Sequence, residues 1–138
     1  MAVELNIAAF KHVPFGGATG DGDIPVAGVD WHSAAFRMEL RTERGQTASS
    51  LVALVTASAG SQGISATYDA GYTLPDGSVT PSTIIRIQID EATLEGLSLA
   101  APTDGPLVLF YDLHVTPSGL PKFVLCFGTF TIYPGATV

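Results

Sequence analysis

Cysteine, basic charge and long apolar runs are all scarce in this 138-residue chain. Its single cysteine, Cys126, cannot close an internal disulfide, so packing alone must hold the fold, and a small buried side chain in a strand is its expected role. Six Lys and Arg stand against thirteen Asp and Glu, a formal charge of -7. Such a surface repels a phosphate backbone, so no nucleic-acid partner is expected. No stretch approaches the roughly 18 consecutive apolar residues of a membrane helix, so no membrane partner is expected either. The opening MAVELNIAAFKH puts Glu4 and Asn6 where an export signal has a basic start and an apolar run, which predicts a chain made in the cytosol without that route of secretion. Charged residues make up 14% of the chain and hydrophobic ones 46%, a balance that supports a packed core in one domain and excludes a mainly disordered protein. Fifteen Gly and nine Pro oppose long helices and lean the chain towards short strands and turns.

Val3, Leu5 and Ile7 alternate with Glu4 and Asn6, the period of a half-buried strand. FGGATGDGDIPVAG (15–28) follows, a glycine-rich loop longer than a usual connection and a candidate docking arm. Phe36, Met38 and Leu40 then alternate with Arg37, Glu39 and Arg41; Leu51 to Thr56 and Ile64 to Tyr68 are shorter strands. Pro-Asp-Gly within residues 72–82 predicts a tight turn. Ile85, Ile87 and Ile89 alternate with Arg86, Gln88 and Asp90 in the clearest strand. Residues 91–97 have helical flavour, limited by Gly96 and Pro102 to a turn or two. LVLFYDLHVT (107–116) reads as a central strand, apolar on both faces except for Asp112 and His114, and pairs as a hairpin with the apolar, aromatic and β-branched KFVLCFGTFTIY (122–133). Gly128 within the latter marks a bulge or a close approach of another backbone or ring. Turns every 8 to 15 residues without βαβ spacing predict an all-β fold, a single antiparallel β-sandwich of immunoglobulin-like or jelly-roll type.

Signals for chemistry are weak. AGSQG (59–63) has Ala59 where a nucleophile elbow needs glycine, and His12, His32 and His114 have no metal-ligand spacing, so neither a serine triad nor a zinc site is expected. Asp21, Asp23 and Asp30 put carboxylates on a flexible segment, but Ile24 and Pro25 interrupt a calcium loop, and a solvated turn is the better account. The glycines at 16–22 come without the lysine of a phosphate loop. No cofactor, metal or small-molecule substrate is therefore predicted. Trp31 either plugs the end of the core or stacks on a ligand. Asp112 lies on a solvated face with His114 or, the favoured alternative, is a buried structural cap hydrogen-bonded to a turn.

The segments VDWHSAAFRMELR (29–41), TIIRIQID (83–90), LVLFYDLHVTPSG (107–119) and VLCFGTFTIYPGATV (124–138) occur in an order that resembles a family of small tailed-bacteriophage structural proteins. That family belongs to tail, baseplate or fibre-attachment neighbourhoods and is similar to the immunoglobulin-like N-terminal modules of baseplate proteins. The likeness rests on Trp31 ahead of Phe36 to Arg41, on Tyr111 to Leu113, on Gly128 to Thr131 and on Pro134 to Gly135, and it covers residues 29–138. Residues 8–26 have no counterpart in it. The resemblance brings no catalytic residue. It implies a non-enzymatic virion component, assembled in the host bacterial cytoplasm, whose partners are other virion proteins and further copies of itself. Phe15, Asp21, Asp23 and Trp31 are the candidate interaction residues, and Asp112 and Gly128 the structural ones. The alternative is a carbohydrate-binding or other surface-recognition sandwich, which needs Trp31 and the tyrosines exposed together.

Overall fold

The computed structural model describes residues 2–11, 13–16, 23–43, 50–98 and 105–134. Among the described residues nine strands, β1 (Val3–Glu4), β2 (Ile7–Phe10), β3 (Asp23–Ala27), β4 (Ala35–Arg41), β5 (Val52–Val55), β6 (Gly63–Asp69), β7 (Ser82–Gln88), β8 (Leu107–Thr116) and β9 (Phe123–Tyr133), accompany one helix, α1 (Glu91–Ser98). The larger sheet runs β9-β8-β4-β5, with β1 and β2 both added to the free side of β9, and the smaller runs β3-β7-β6. The expected all-β sandwich is therefore the fold.

The core follows directly from the period-2 pattern. Phe36, Met38 and Leu40 of β4, Leu109, Leu113 and Val115 of β8, and Phe130 and Ile132 of β9 point inward and are buried. Ile85 and Ile87 of β7 meet them from the opposite sheet. Each such side chain contributes roughly 1.5–3 kcal/mol through removal from water. In α1, Leu94 and Leu97 share one face at i, i+3 spacing and are buried, so two turns of helix suffice to cover one end of the core.

The chain closes one flank of the sandwich by crossing between sheets. Thr56 bridges Ile64 at the β5–β6 passage, and the Thr56 hydroxyl oxygen accepts the Phe36 amide at 2.7 Å. At the opposite flank β2 and β3 are the outermost strands, and Phe15, in the connection between them, bridges Ile89.

One expectation needs correction. Residues 15–28 are not one loop, because Asp23–Ala27 forms β3 in full antiparallel register with β7, from Asp23↔Arg86 to Ala27↔Ser82. Pro25 is compatible with that strand because β3 is at an edge, where a missing donor breaks no ladder. Pairing is antiparallel as expected, with the addition that β1 and β2 run parallel to β9. In β8, residues alternate between buried and solvent-accessible positions, and the outer row sets Val108 and Phe110 beside Asp112 and His114, the two polar exceptions expected there.

Candidate functional site

The opening segment is held on β9 by a small set of specific contacts. The Leu5 amide donates to the Phe127 carbonyl at 2.8 Å, and the Lys11 amide donates to that of Tyr133 at 2.9 Å. Between them the ladder is interrupted at Leu5 and Asn6, where side chains take over. The Tyr111 hydroxyl reaches through the sheet and donates to the Leu5 carbonyl at 2.6 Å. The Asn6 side-chain oxygen accepts both the amide and the hydroxyl of Thr129, each at 3.1 Å. Gly128 is what permits this approach, because a Cβ there would collide with the Leu5 carbonyl and stand 2.7 Å from the Asn6 side-chain oxygen. Its expected role as a site of close backbone approach is thus the observed one. The irregularity of the β8–β9 ladder lies elsewhere, between Leu113 and His114.

The parity of these bonds determines what the outer edge presents. Leu5 and Lys11 direct their amides at β9, so the odd-numbered residues of β2 face β9 with their backbone, and the polar groups of Ala8 and the amide of Phe10 turn outward. The Phe10 carbonyl accepts the Val13 amide at 3.2 Å. Several apolar side chains of this segment are solvent-exposed: Val3 (62% exposed), Leu5, Phe10 (52%) and Val13, with Tyr133 of β9 beside Phe10. The Phe10 and Tyr133 rings lie 5.8 Å apart with a 36° tilt. Beside the edge a cleft of about 420 Å³ opens between the sheets, with Ile7, Ile24 and Ile87 among its walls.

A second concavity, about 540 Å³, lies on the outer face of the larger sheet. Across it Arg37, Glu39 and Arg41 of β4 stand opposite His114, Asp112 and Phe110 of β8. Glu39 accepts from Arg37 at 2.8 Å and from Arg41, and the two guanidiniums, Arg37 foremost, hold its carboxyl below the ordinary range. His114 Nε2 lies 3.2 Å from the Asp112 carboxylate. Asp112 is therefore on the solvated face with His114 and is not a buried cap, because its position on β8 is out of phase with the inward row.

The candidate interaction residues are dispersed or internal. Phe15 is buried, 5% exposed, with its ring 5.4 Å from Phe130, and its backbone bridges Ile89, so it is a core residue of the connection. Asp23 is taken up by a bidentate pair with Arg86 at 2.9 and 3.1 Å between β3 and β7. Asp21 lies outside the described residues. Trp31 is half-buried with its ring 5.5 Å from Phe123, and its amide donates to Thr83 Oγ1 at 2.9 Å, which fits a plug at the core end. Of the tyrosines, Tyr111 is buried and Tyr133 is at the far end of β9 from Phe123, whereas the exposed Tyr68 pairs in register with Thr83, the residue that accepts the Trp31 amide. Among the described residues no group of three or more His, Cys, Asp or Glu comes together as a metal site.

The β1–β2 edge was missed in the sequence because alternation of Val3, Leu5 and Ile7 reads as a buried face, whereas Val3 and Leu5 are exposed. The available signal was the uncharged stretch Leu5 to Phe10 between Glu4 and Lys11 in a strongly acidic chain. Compared with known proteins, the chain matches no family model and no curated sequence.

Proposed function

We propose that this protein is a non-enzymatic structural component of a phage or phage-like particle, acting by protein–protein assembly in the tail, baseplate or fibre-attachment region. The observation that carries the assembly part of this reading is the exposure of Val3, Leu5, Phe10 and Val13 around an edge strand, β2, that itself contains neither proline nor charge. Water-exposed edges of this kind favour pairing with another chain, and soluble proteins ordinarily blunt them. The particle part rests on the motif resemblance over residues 29–138. Three of its motifs, at Phe36 to Arg41, Tyr111 to Leu113 and Gly128 to Thr131, fall on the adjacent strands β4, β8 and β9, with Tyr111 opposite Gly128.

Density-gradient purification of particles from cells that produce the chain tests the reading. A fixed copy number co-sedimenting with the particles is expected, and recovery solely in the low-mass fraction contradicts it.

A further inference from the structure

We propose that the concavity on the outer face of β4, β8 and β9 is a binding site for an uncharged oligosaccharide chain, a function beyond the assembly reading and carried by different residues. Three observations lead there.

The first is a pattern of charge that a merely solvated sheet face does not favour. Opposite charges placed directly across from each other stabilise two antiparallel strands, and like charges so placed destabilise them. Here Glu39 stands opposite Asp112, and Arg37 opposite the basic His114. Each carboxylate is paired along its own strand instead, Glu39 with Arg37 and Arg41, and Asp112 with His114. The groove is therefore banded: a row of nitrogen groups (Arg37, His114) runs beside a row of carboxylates (Glu39, Asp112), about 6.6 Å away along the strands.

Charge balance provides the second. Arg37, Arg41 and Lys122 line the concavity together with Glu39, Glu43 and Asp112. Half of the chain's six Lys and Arg thus meet three of its thirteen Asp and Glu, and the fixed charges cancel. A polyanion or a polycation gains little at such a wall. A hydroxyl both donates and accepts, so a chain of hydroxyl-bearing rings satisfies both rows without carrying charge of its own.

Shape and an aromatic floor are the third. The concavity, about 540 Å³, has the size of a small-molecule site and rests on strands rather than loops. The half-buried Phe127 lines it, directly opposite Asp112 in the β8–β9 ladder, so an apolar ring adjoins a carboxylate. That pairing suits a pyranose, whose ring face is apolar C–H and whose rim is hydroxyl. A peptide strand is served poorly, because the backbone groups of paired strands are engaged in the ladders and the face offers side chains alone.

Titration of the isotope-labelled chain with neutral hexasaccharides of glucose, mannose, galactose and N-acetylglucosamine, each up to about 5 mM and followed by amide chemical shifts, tests this. At least one should shift the amides of Arg37, Asp112 and Phe127 and leave those of β3 and β6 in place. Asp112→Asn keeps the side-chain shape and should weaken that binding about tenfold or more, and Phe127→Ala should weaken it about three- to tenfold. No response to any of these sugars, or binding that both folded variants retain in full, overturns the inference. Binding of hexagalacturonate alone, weakened by Lys122→Gln, overturns it as well, because the ligand is then an anion. A chain that binds no saccharide yet sediments with particles removes this inference alone, and one that binds but is absent from particles removes the assembly reading alone.

Discussion

Tyr111 and Leu5, 106 residues apart in the sequence, are joined by a 2.6 Å hydrogen bond from the phenol to the backbone carbonyl. This bond ties the first strand of the chain to the central strand of the larger sheet across the intervening β9. Tyr111→Phe should keep the core filled and destabilise the fold by about 1–2 kcal/mol, read from denaturant unfolding. The same site sets an alkaline limit. Burial pushes the Tyr111 phenol well above its ordinary range and the Cys126 thiol upward as well. A pKa raised in the folded state gives stabilisation that is complete below the unfolded pKa and is lost as pH rises. Stability should therefore decline above about pH 8.5 through Cys126 and again above about pH 10 through Tyr111, and Tyr111→Phe should lack the second decline.

Gly128→Ala should lift β1 and β2 off β9 without emptying the core, because the new methyl group occupies the space of the Leu5 carbonyl. A cost of about 1–3 kcal/mol is expected. Val3 is the register partner of Cys126, which is 3% exposed, so the thiol reports on this displacement. Iodoacetamide should modify Cys126 slowly in the parent and faster in folded Gly128→Ala.

Phe15→Ala should cost about 3–5 kcal/mol, since the ring is buried against Phe130. Deleting residues 15–28 should abolish folding, because the deletion removes both Phe15 and β3. Thermal unfolding followed by circular dichroism measures both.

Acid should weaken the outer face of the larger sheet. The Glu39 pKa is lowered chiefly by the hydrogen bond from Arg37 and further by Arg41, so its contribution is present above the ordinary glutamate range of about 4.3 and lost as pH falls through the depressed value. Stability measured between pH 5 and pH 2 should fall less steeply in Glu39→Gln than in the parent, with the pH range taken as roughly that of carboxylate titration.

The inward-facing rows of β4, β7 and β8 were legible in the sequence because alternation has one physical cause, a sheet with one buried face. The turn at Pro75, Asp76 and Gly77 was legible for a local reason, and Gly77 has the expected positive φ of 90°. Long-range partners were not legible. Asp23 looks like a loop carboxylate until Arg86, 63 residues away, is placed opposite it. Phe15 reads as part of a mobile arm until Phe130 is seen beneath its ring. Asp112 could not be assigned to a face because the neighbours of both faces, Val108 and Phe110 included, are apolar, and only the register with Glu39 across the strands sets its side. The exposed edge was hidden for the converse reason: the hydrophobicity of Val3 and Leu5 predicts burial, and a lone chain does not bury them.

Particles purified after replacing the parent chain with Phe10→Lys test the central claim most directly, with copy number per particle measured by quantitative mass spectrometry. Full occupancy by the parent and near-complete loss of the folded variant are predicted. Equal occupancy by both, or absence of both from the particles, contradicts assembly through this edge.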